Sequence, residues 1–299
     1  MSPFLPALEA MKSSNSATFG PVRFIDYLSE HFGEDYPKSW DITARWLSIQ
    51  SLKGGSSSLD PALRDAGAMI FRLGTGTFAL LKASSLDDFF LHDEELVAES
   101  EVFLPQCSAS DLFPFQLMGS LVESNAVNLA IASGLLQAAL GLDPDSPRIG
   151  PTTGISTYSF PVRPHREFPE LQWAHENGQV EIDALYFARR EGRWSLFVIE
   201  GKKGTQSGSL PKHKLMYPAQ AISTHPVVEE FGNGVDVVPV YMRAWREEGQ
   251  IYFRVVECSC EGLRTDEAFI SGLSPERTRL LAIPESDDFF VGSLKEDFE

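Results

Sequence analysis

Three side chains are of the types, and at the spacing, that catalysis by a bound metal requires: Asp183, and Glu200 with Lys202. Asp183 lies in the run QVEIDALYF (Gln179–Phe187), and Glu200 and Lys202 close the run WSLFVIEGKK (Trp194–Lys203). Both runs are rich in β-branched and aromatic residues and are joined by a short turn near Gly192, so adjacent strands are expected. Residues two apart on a strand share a face. Glu200 and Lys202 are then neighbours, and Asp183 on the paired strand can join them. Two carboxylates gathered on one sheet repel and cost desolvation energy unless a hard cation lies between them. Magnesium accepts such oxygen donors, with water and phosphate completing its shell. It polarises a scissile phosphate and lowers the pKa of a bound water, while the lysine orients or deprotonates that water or holds developing negative charge. The competing reading is a salt-bridged trio on an ordinary mixed sheet. Val198 and Ile199 weigh against it, because they place Glu200 on a buried central strand where an unpaired acid is costly.

The elements that must position these residues can be read on either side. A largely apolar helix is expected from about Leu117 to Leu142, carrying Glu123. Tyr158–Val162 reads as a short strand. The stretch from Gly201 to Val228 contains Lys202, Lys203, Lys212 and Lys214 and no Asp or Glu, and a helix is expected from Lys212 to about Ser223. Strand-like runs follow at Val235–Tyr241 and Gln250–Glu257. Glu181, two residues before Asp183, is either a further metal ligand or a partner of Lys202 or Lys203.

Asp183 followed by Glu200-x-Lys202 on the next strand resembles the PD-(D/E)XK nuclease motif, with Ile182 in place of the motif's proline. The order helix, strands, helix, strand over about residues 117–258 is similar to the core of that family. The resemblance implies a restriction-endonuclease-like αβββαβ core and a Mg²⁺-dependent reaction, with Mn²⁺ able to substitute. It implies that Asp183 and Glu200 bind the metal, with Glu123 matching the acidic residue many members carry on the first core helix. Gln220 and Tyr217 are similar, in a different order and spacing, to a Gln/Tyr pair that some members place on the helix after the motif. In-line attack leaving 5′-phosphate and 3′-hydroxyl ends is also implied. One such core cuts one strand, so cutting both strands of double-stranded DNA implies a homodimer.

The first 15 or so residues read as a loose arm. Helices are expected around Phe24–Leu28, from Ser39 to about Leu52, and from Ser58 or Asp60 to about Gly67. Met69–Leu73 and Thr77–Leu81 flank a Gly74-Thr-Gly76 turn and read as a hairpin. Three helices and a hairpin give the order of a winged helix, and the hairpin resembles the wing of HARE-type helix-turn-helix modules. Arg64, Arg72, Lys53 and Lys82 would then meet a DNA backbone or groove, and Lys203, Lys212, His213, Lys214 and Gln220 would supply contacts beside the catalytic trio. The layout is also similar to modification-dependent restriction enzymes, which leaves open whether 5-methylcytosine is required. Trp40, Trp46 and Trp173 could line a methyl-sensing pocket or pack in the core.

The expected architecture is thus a mixed α/β fold: a mainly helical winged-helix-like domain (1–85), an acidic connector (86–115) and a nuclease domain (116–299). A net charge of −17 argues at first sight against nucleic acid. Its distribution softens that objection: acids and bases balance at eight each over residues 1–82, while residues 83–115 hold eight acids and no Lys or Arg. The sequence shows no signal-peptide pattern, no apolar run of membrane-spanning length and no metal spacing among its three cysteines, so a cytoplasmic protein is expected. A structure-specific nuclease, or a DNA-binding protein with a degenerate nuclease fold, remains the alternative.

Overall fold

The computed structural model describes residues 2–33, 36–53, 58–108, 110–117, 122–146, 152–231, 234–265 and 267–284. The chain folds as a mixed α/β protein. It begins with α1 (Leu5–Ser13), β1 (Thr18–Arg23), α2 (Phe24–Phe32), α3 (Thr43–Leu47), α4 (Pro61–Ala66), β2 (Ala68–Arg72) and β3 (Thr77–Lys82). The three strands form an antiparallel sheet in the order β1-β3-β2. The expected loose arm is instead helix α1 followed by strand β1. Phe4, Ala7 and Met11 fall on one helical face and are buried, which gives the arm a reason to fold. The expected long helix from Ser39 is reduced to a 3₁₀ turn (Lys38–Asp41) and the short α3. Leu47 and Ile49 are both buried at a spacing of two, which fits extended chain rather than helix. Asp60 caps α4 by accepting the Ala62 N–H at 2.9 Å, and Gly67 ends it in the left-handed conformation.

The remainder comprises β4 (Phe90–His92), β5 (Ser100–Val102), α5 (Phe113–Gln116), α6 (Glu123–Ala132), α7 (Leu135–Leu140), β6 (Thr152–Val162), β7 (Trp173–Arg190), β8 (Arg193–Lys203), β9 (Ser209–Pro211), α8 (Lys212–Ser223), α9 (Pro226–Glu230), β10 (Val235–Glu247), β11 (Gln250–Ser259) and β12 (Ser274–Pro284). Seven strands form one sheet in the order β5-β12-β11-β10-β8-β7-β6. β6, β7 and β8 are an antiparallel meander, and β10 returns parallel to β8 through α8. Side chains alternate between two cores. Phe197 and Ile199 pack with α6 and α7, whereas Leu196 and Val198 pack on the α8 side. Of the long helix expected over 117–142, residues 118–121 lie outside the described ones, and the rest is interrupted at Gly134, which adopts φ +78° between α6 and α7 with Gln106 against its bare Cα. Among the described residues no helix is long and apolar enough to cross a membrane.

The core on the α8 side runs without interruption from Phe4 to Leu273, so residue 85 marks no gap in the packing. Phe71 of β2 lies against Trp173 and His213, and the Gly74 turn bridges to Glu176. A Cβ on Gly74 would overlap the Glu176 carbonyl oxygen, so this close approach of two backbones requires glycine. Trp40 and Trp173 are buried in the shared core, while Trp46, half-buried, packs edge-on against Phe4 and Trp40 and lines a small surface cavity with Arg45 and Asp60.

The acidic connector is built into the fold as well. β4 pairs with β9 and β5 edges the large sheet. Between them Asp93, with no side-chain exposure, meets Arg243 Nε at 2.7 Å and Arg254 Nη1 at 3.1 Å, and accepts the Tyr241 hydroxyl at 2.9 Å. Removing one member of a buried ion network leaves the others uncompensated, at a cost of about 3–5 kcal/mol. Asp93→Ala should therefore lower the urea midpoint sharply. Asp236→Ala, which breaks the exposed pair with Arg193, should cost at most about 1 kcal/mol. Equal losses in the two variants would show that the Asp93 network carries no special weight.

Candidate active site

β7 and β8 pair in unbroken register from Arg190↔Arg193 to Ala184↔Ile199, and the ladder ends there. The next residues on the two strands are Asp183 and Glu200. On β7, Ile182 packs on the α8 side and Ala184 on the α6 side, although residues two apart on a regular strand share a face. The register with β6 shifts at the same place, between Gly154↔Ile182 and Thr152↔Leu185. Asp183 thus sits at a β-bulge, a device that re-aims a side chain. Its Oδ2 accepts the Gly201 N–H at 2.9 Å, taking the place of the missing ladder bond.

Glu200 is only 4% exposed. Lys202 Nζ donates to Glu200 Oε1 at 2.7 Å and to the Gly201 carbonyl at 3.0 Å, and stands 3.8 Å from Glu123 Oε1. Glu123 opens α6, where its charge also suits the helix N-terminus. A Cβ on Gly201 would lie 3.2 Å from Val127 Cγ2, so the glycine lets α6 approach the end of β8. Burial pushes the Glu200 carboxyl up to about 7; Lys202 opposes the shift and Asp183 adds to it. Burial works against the charge of Lys202, yet Glu200, Glu123 and Asp183 together hold it above the ordinary lysine value.

Asp183, Glu200, Lys202 and Glu123 are therefore gathered at one place. Among the described residues no set of three or more His, Cys, Asp or Glu stands ready to enclose a metal ion. The donors are hard oxygens on two or three acids, which is the set that magnesium shares with water and phosphate. Lys202 now neutralises the position a cation would take on Glu200. Glu181 does not partner Lys202, which pairs with Glu200 and Glu123; it is exposed on β7 and lines a neighbouring cavity.

The residues expected to touch DNA fall into three groups. Lys203 is exposed at the end of β8, Lys53 and Lys82 are exposed, and Arg64 is half-exposed beside Asp65. Arg72 and Lys214 are half-buried and line the cavity between the N-terminal unit and the sheet, with Arg72 donating to Gly74 O and Ser48 Oγ. The remaining three are corrected. His213 is buried between Phe71 and Tyr217 at the edge of that cavity, and burial lowers its imidazole to about 3, so it is neutral and offers a phosphate no charge. Gln220 is buried on the inner face of α8. Lys212 donates to the Ser271 carbonyl, and burial lowers its pKa. α8 packs against both sheet and N-terminal unit, so most of its residues face protein; charge alone could not reveal that.

Glu200 gives a pH test. Its carboxyl titrates near 7 in the folded protein against 4.5 ordinarily. The folded state then binds the proton more tightly, so this contribution to stability is present below pH 4.5 and is lost as pH rises through 7. In metal-free buffer, the melting temperature of wild type relative to Glu200→Gln should fall between pH 5 and 8. A pH-independent difference would mean that Glu200 is ionised throughout.

No curated protein and no solved structure matches the chain. A family model does match, over residues 106–261, from before α6 to the end of β11 and including all four residues of the cluster. That is just over half of the chain, and the protein belongs to this family, described as a domain of unknown function, DUF6997.

Proposed function

We propose that this protein is a divalent-metal-dependent nuclease acting on double-stranded DNA. The observation that carries the reading is the cluster itself: Asp183 at a bulge on the middle strand of a meander, with Glu200 and Lys202 at the end of the strand beside it. The surrounding order supports it. A helix, three antiparallel strands, a crossover helix and a strand parallel to the third follow one another in the order that a restriction-endonuclease-like αβββαβ core would need. In the N-terminal unit, the succession helix, strand, helices, hairpin, with β1 beside β3, supports a winged-helix-like module. Its wing is docked on β7, so DNA contact falls to the remaining faces rather than to the hairpin tip.

Asp183 and Glu200 would hold Mg²⁺ or Mn²⁺, with Glu123 as the further acid. The bound ion would supply Lewis-acid polarisation of the scissile phosphate and a more acidic water. Lys202, which pairs with Glu200 Oε1 here, would have to give up that contact to an ion, and its ammonium, close to the cluster, would then orient the attacking water and hold developing negative charge. Cutting both strands requires two such sites and hence a homodimer. The reading leaves open whether cytosine methylation is needed, and it places the protein in the cytoplasm with its DNA.

One observation favours a second reading, a DNA-binding protein on a degenerate nuclease fold. Lys202 already pairs with Glu200 and Glu123, so the cluster is partly compensated without a metal. The readings separate on plasmids with and without cytosine methylation, incubated with Mg²⁺ or with chelator. Wild type should cut with Mg²⁺ alone, and Lys202→Ala should be slower by about a hundredfold or more. The same variant should bind Mg²⁺ more tightly than wild type by calorimetry, because the competing ammonium is gone. DNA binding without cleavage, and no Mg²⁺ binding by either protein, would favour the binding-protein reading.

A further inference from the structure

Between the N-terminal unit and the large sheet lies an open cavity of about 400 Å³, within the roughly 300–1,000 Å³ typical of small-ligand sites. Arg45, Ser48 and Arg72 line it from one side, and His175, Lys214 and Tyr217 from the other. We propose that this cavity receives one nucleotide of a DNA strand, drawn out of its stack, with the base against the His175 and Tyr217 side and the phosphate toward the cationic rim. The proposal rests on the nuclease reading for the source of the nucleotide, and on the following observations for its chemistry.

Tyr217 is 7% exposed and packs against Phe160, His175 and His213, yet its hydroxyl has no hydrogen-bond partner. A buried polar atom left unsatisfied is costly, and a ligand in the cavity that Tyr217 lines would satisfy it once the hydroxyl turns toward the opening. His175 and His213 are neutral aromatic surfaces: burial lowers their imidazoles to about 4 and about 3. Gln50 and Gln179 add amides able to read a base edge. Around them stand Arg45, Arg72 and Lys214 against a single acid, Glu181, in a chain of net charge −17. A flat heteroaromatic ring bearing a phosphate matches each of these features, and a base inside a duplex could reach the cavity only by extrusion.

The cavity and the candidate active site also share structure. β7 carries Gln179 and Glu181 on the cavity wall and then Asp183, and the charge of Lys214 acts on Glu200. A nucleotide held here would fix the strand whose backbone the cluster attacks.

The test is calorimetric titration of wild type, Tyr217→Phe and Arg72→Gln with the four deoxynucleoside 5′-monophosphates and 5-methyl-dCMP, then with mixed-sequence single-stranded 9-mers. At least one monophosphate should bind wild type. Both variants should weaken it about tenfold without lowering the melting temperature, and a 9-mer should bind more tightly and displace it. Tyr217→Phe removes a hydroxyl without a protein partner and is expected to fold; Arg72→Gln provides a second readout. No monophosphate binding to a wild type that cleaves plasmid would overturn the cavity proposal and leave the nuclease reading standing. Equal binding by wild type and both variants would overturn it too. A monophosphate that no 9-mer displaces would mark a site for free nucleotide and overturn the assignment to a strand. Binding and displacement as expected, without plasmid cleavage, would support the cavity and count against the nuclease reading alone.

Discussion

A carboxyl buried at the end of a central strand must hold its proton or be given positive charge, and Glu200 imposes that choice on everything around it. At 4% exposure it is shielded from water, and an isolated ionised carboxylate there would cost many kcal/mol. Lys202 supplies positive charge from the same strand face at 2.7 Å. Lys202 in turn draws Glu123 to 3.8 Å, which fixes where α6 begins, and Gly201 provides the room for that helix to lie against β8. Asp183 could have paired as an ordinary strand residue. The bulge instead turns it toward Gly201, whose N–H it accepts beyond the end of the β7–β8 ladder. A fold selected for stability alone could place apolar residues here at no electrostatic cost. The concentration of opposed charges is therefore better explained by chemistry than by packing.

The neighbouring strand shows how Lys202 comes to be the cation beside Glu200. Tyr241 and Arg243 of β10 stand in register beside Glu200 and Lys202. Arg243 would be a natural competitor for the Glu200 carboxylate, but Asp93 holds it together with Arg254. The same two guanidiniums donate to the carbonyls of Thr205 and Gln206, tethering the loop that follows β8. An acidic residue from a segment that reads as a connector thus keeps two arginines out of the site and holds the exit of the strand that carries it.

Asp183, Glu200 and Lys202 were legible because their signal is local: two strand-like runs, a tight turn and a period of two. The helix from Lys212 to Ser223 and the hairpin around Gly74 were legible for the same reason. What could not be read depends on partners distant in sequence. β4 is three residues long and exists because β9 lies opposite it, more than a hundred residues later. The break at Gly134 depends on Gln106. Burial of His213 and Gln220 depends on the N-terminal unit and on the strands beneath α8, so a basic, polar helix that looked suited to DNA faces protein instead. α1 is a different case. Phe4, Ala7, Leu8 and Met11 carry a helical period that was present in the sequence, over a stretch that reads as a loose arm.

The way the two parts of the chain meet bears on how a net charge of −17 could coexist with a polyanionic ligand. Many cations are committed within the protein: Arg243 and Arg254 to Asp93, Arg190 and Arg277 to Glu257, Arg279 to Glu101, and Lys212 to a buried carbonyl. The close contact of Gly74 with Glu176 brings Arg72 and α3 over the sheet, so that Arg45, Arg72 and Lys214 share one opening beside the cluster. On the proposed nuclease reading, an acidic exterior would repel nucleic acid away from this opening, and attraction would be restricted to the place where cations from both parts converge. Binding of that kind would be weak wherever the chemistry cannot occur. It would also depend on the docking of the N-terminal unit, because neither part alone supplies the opening.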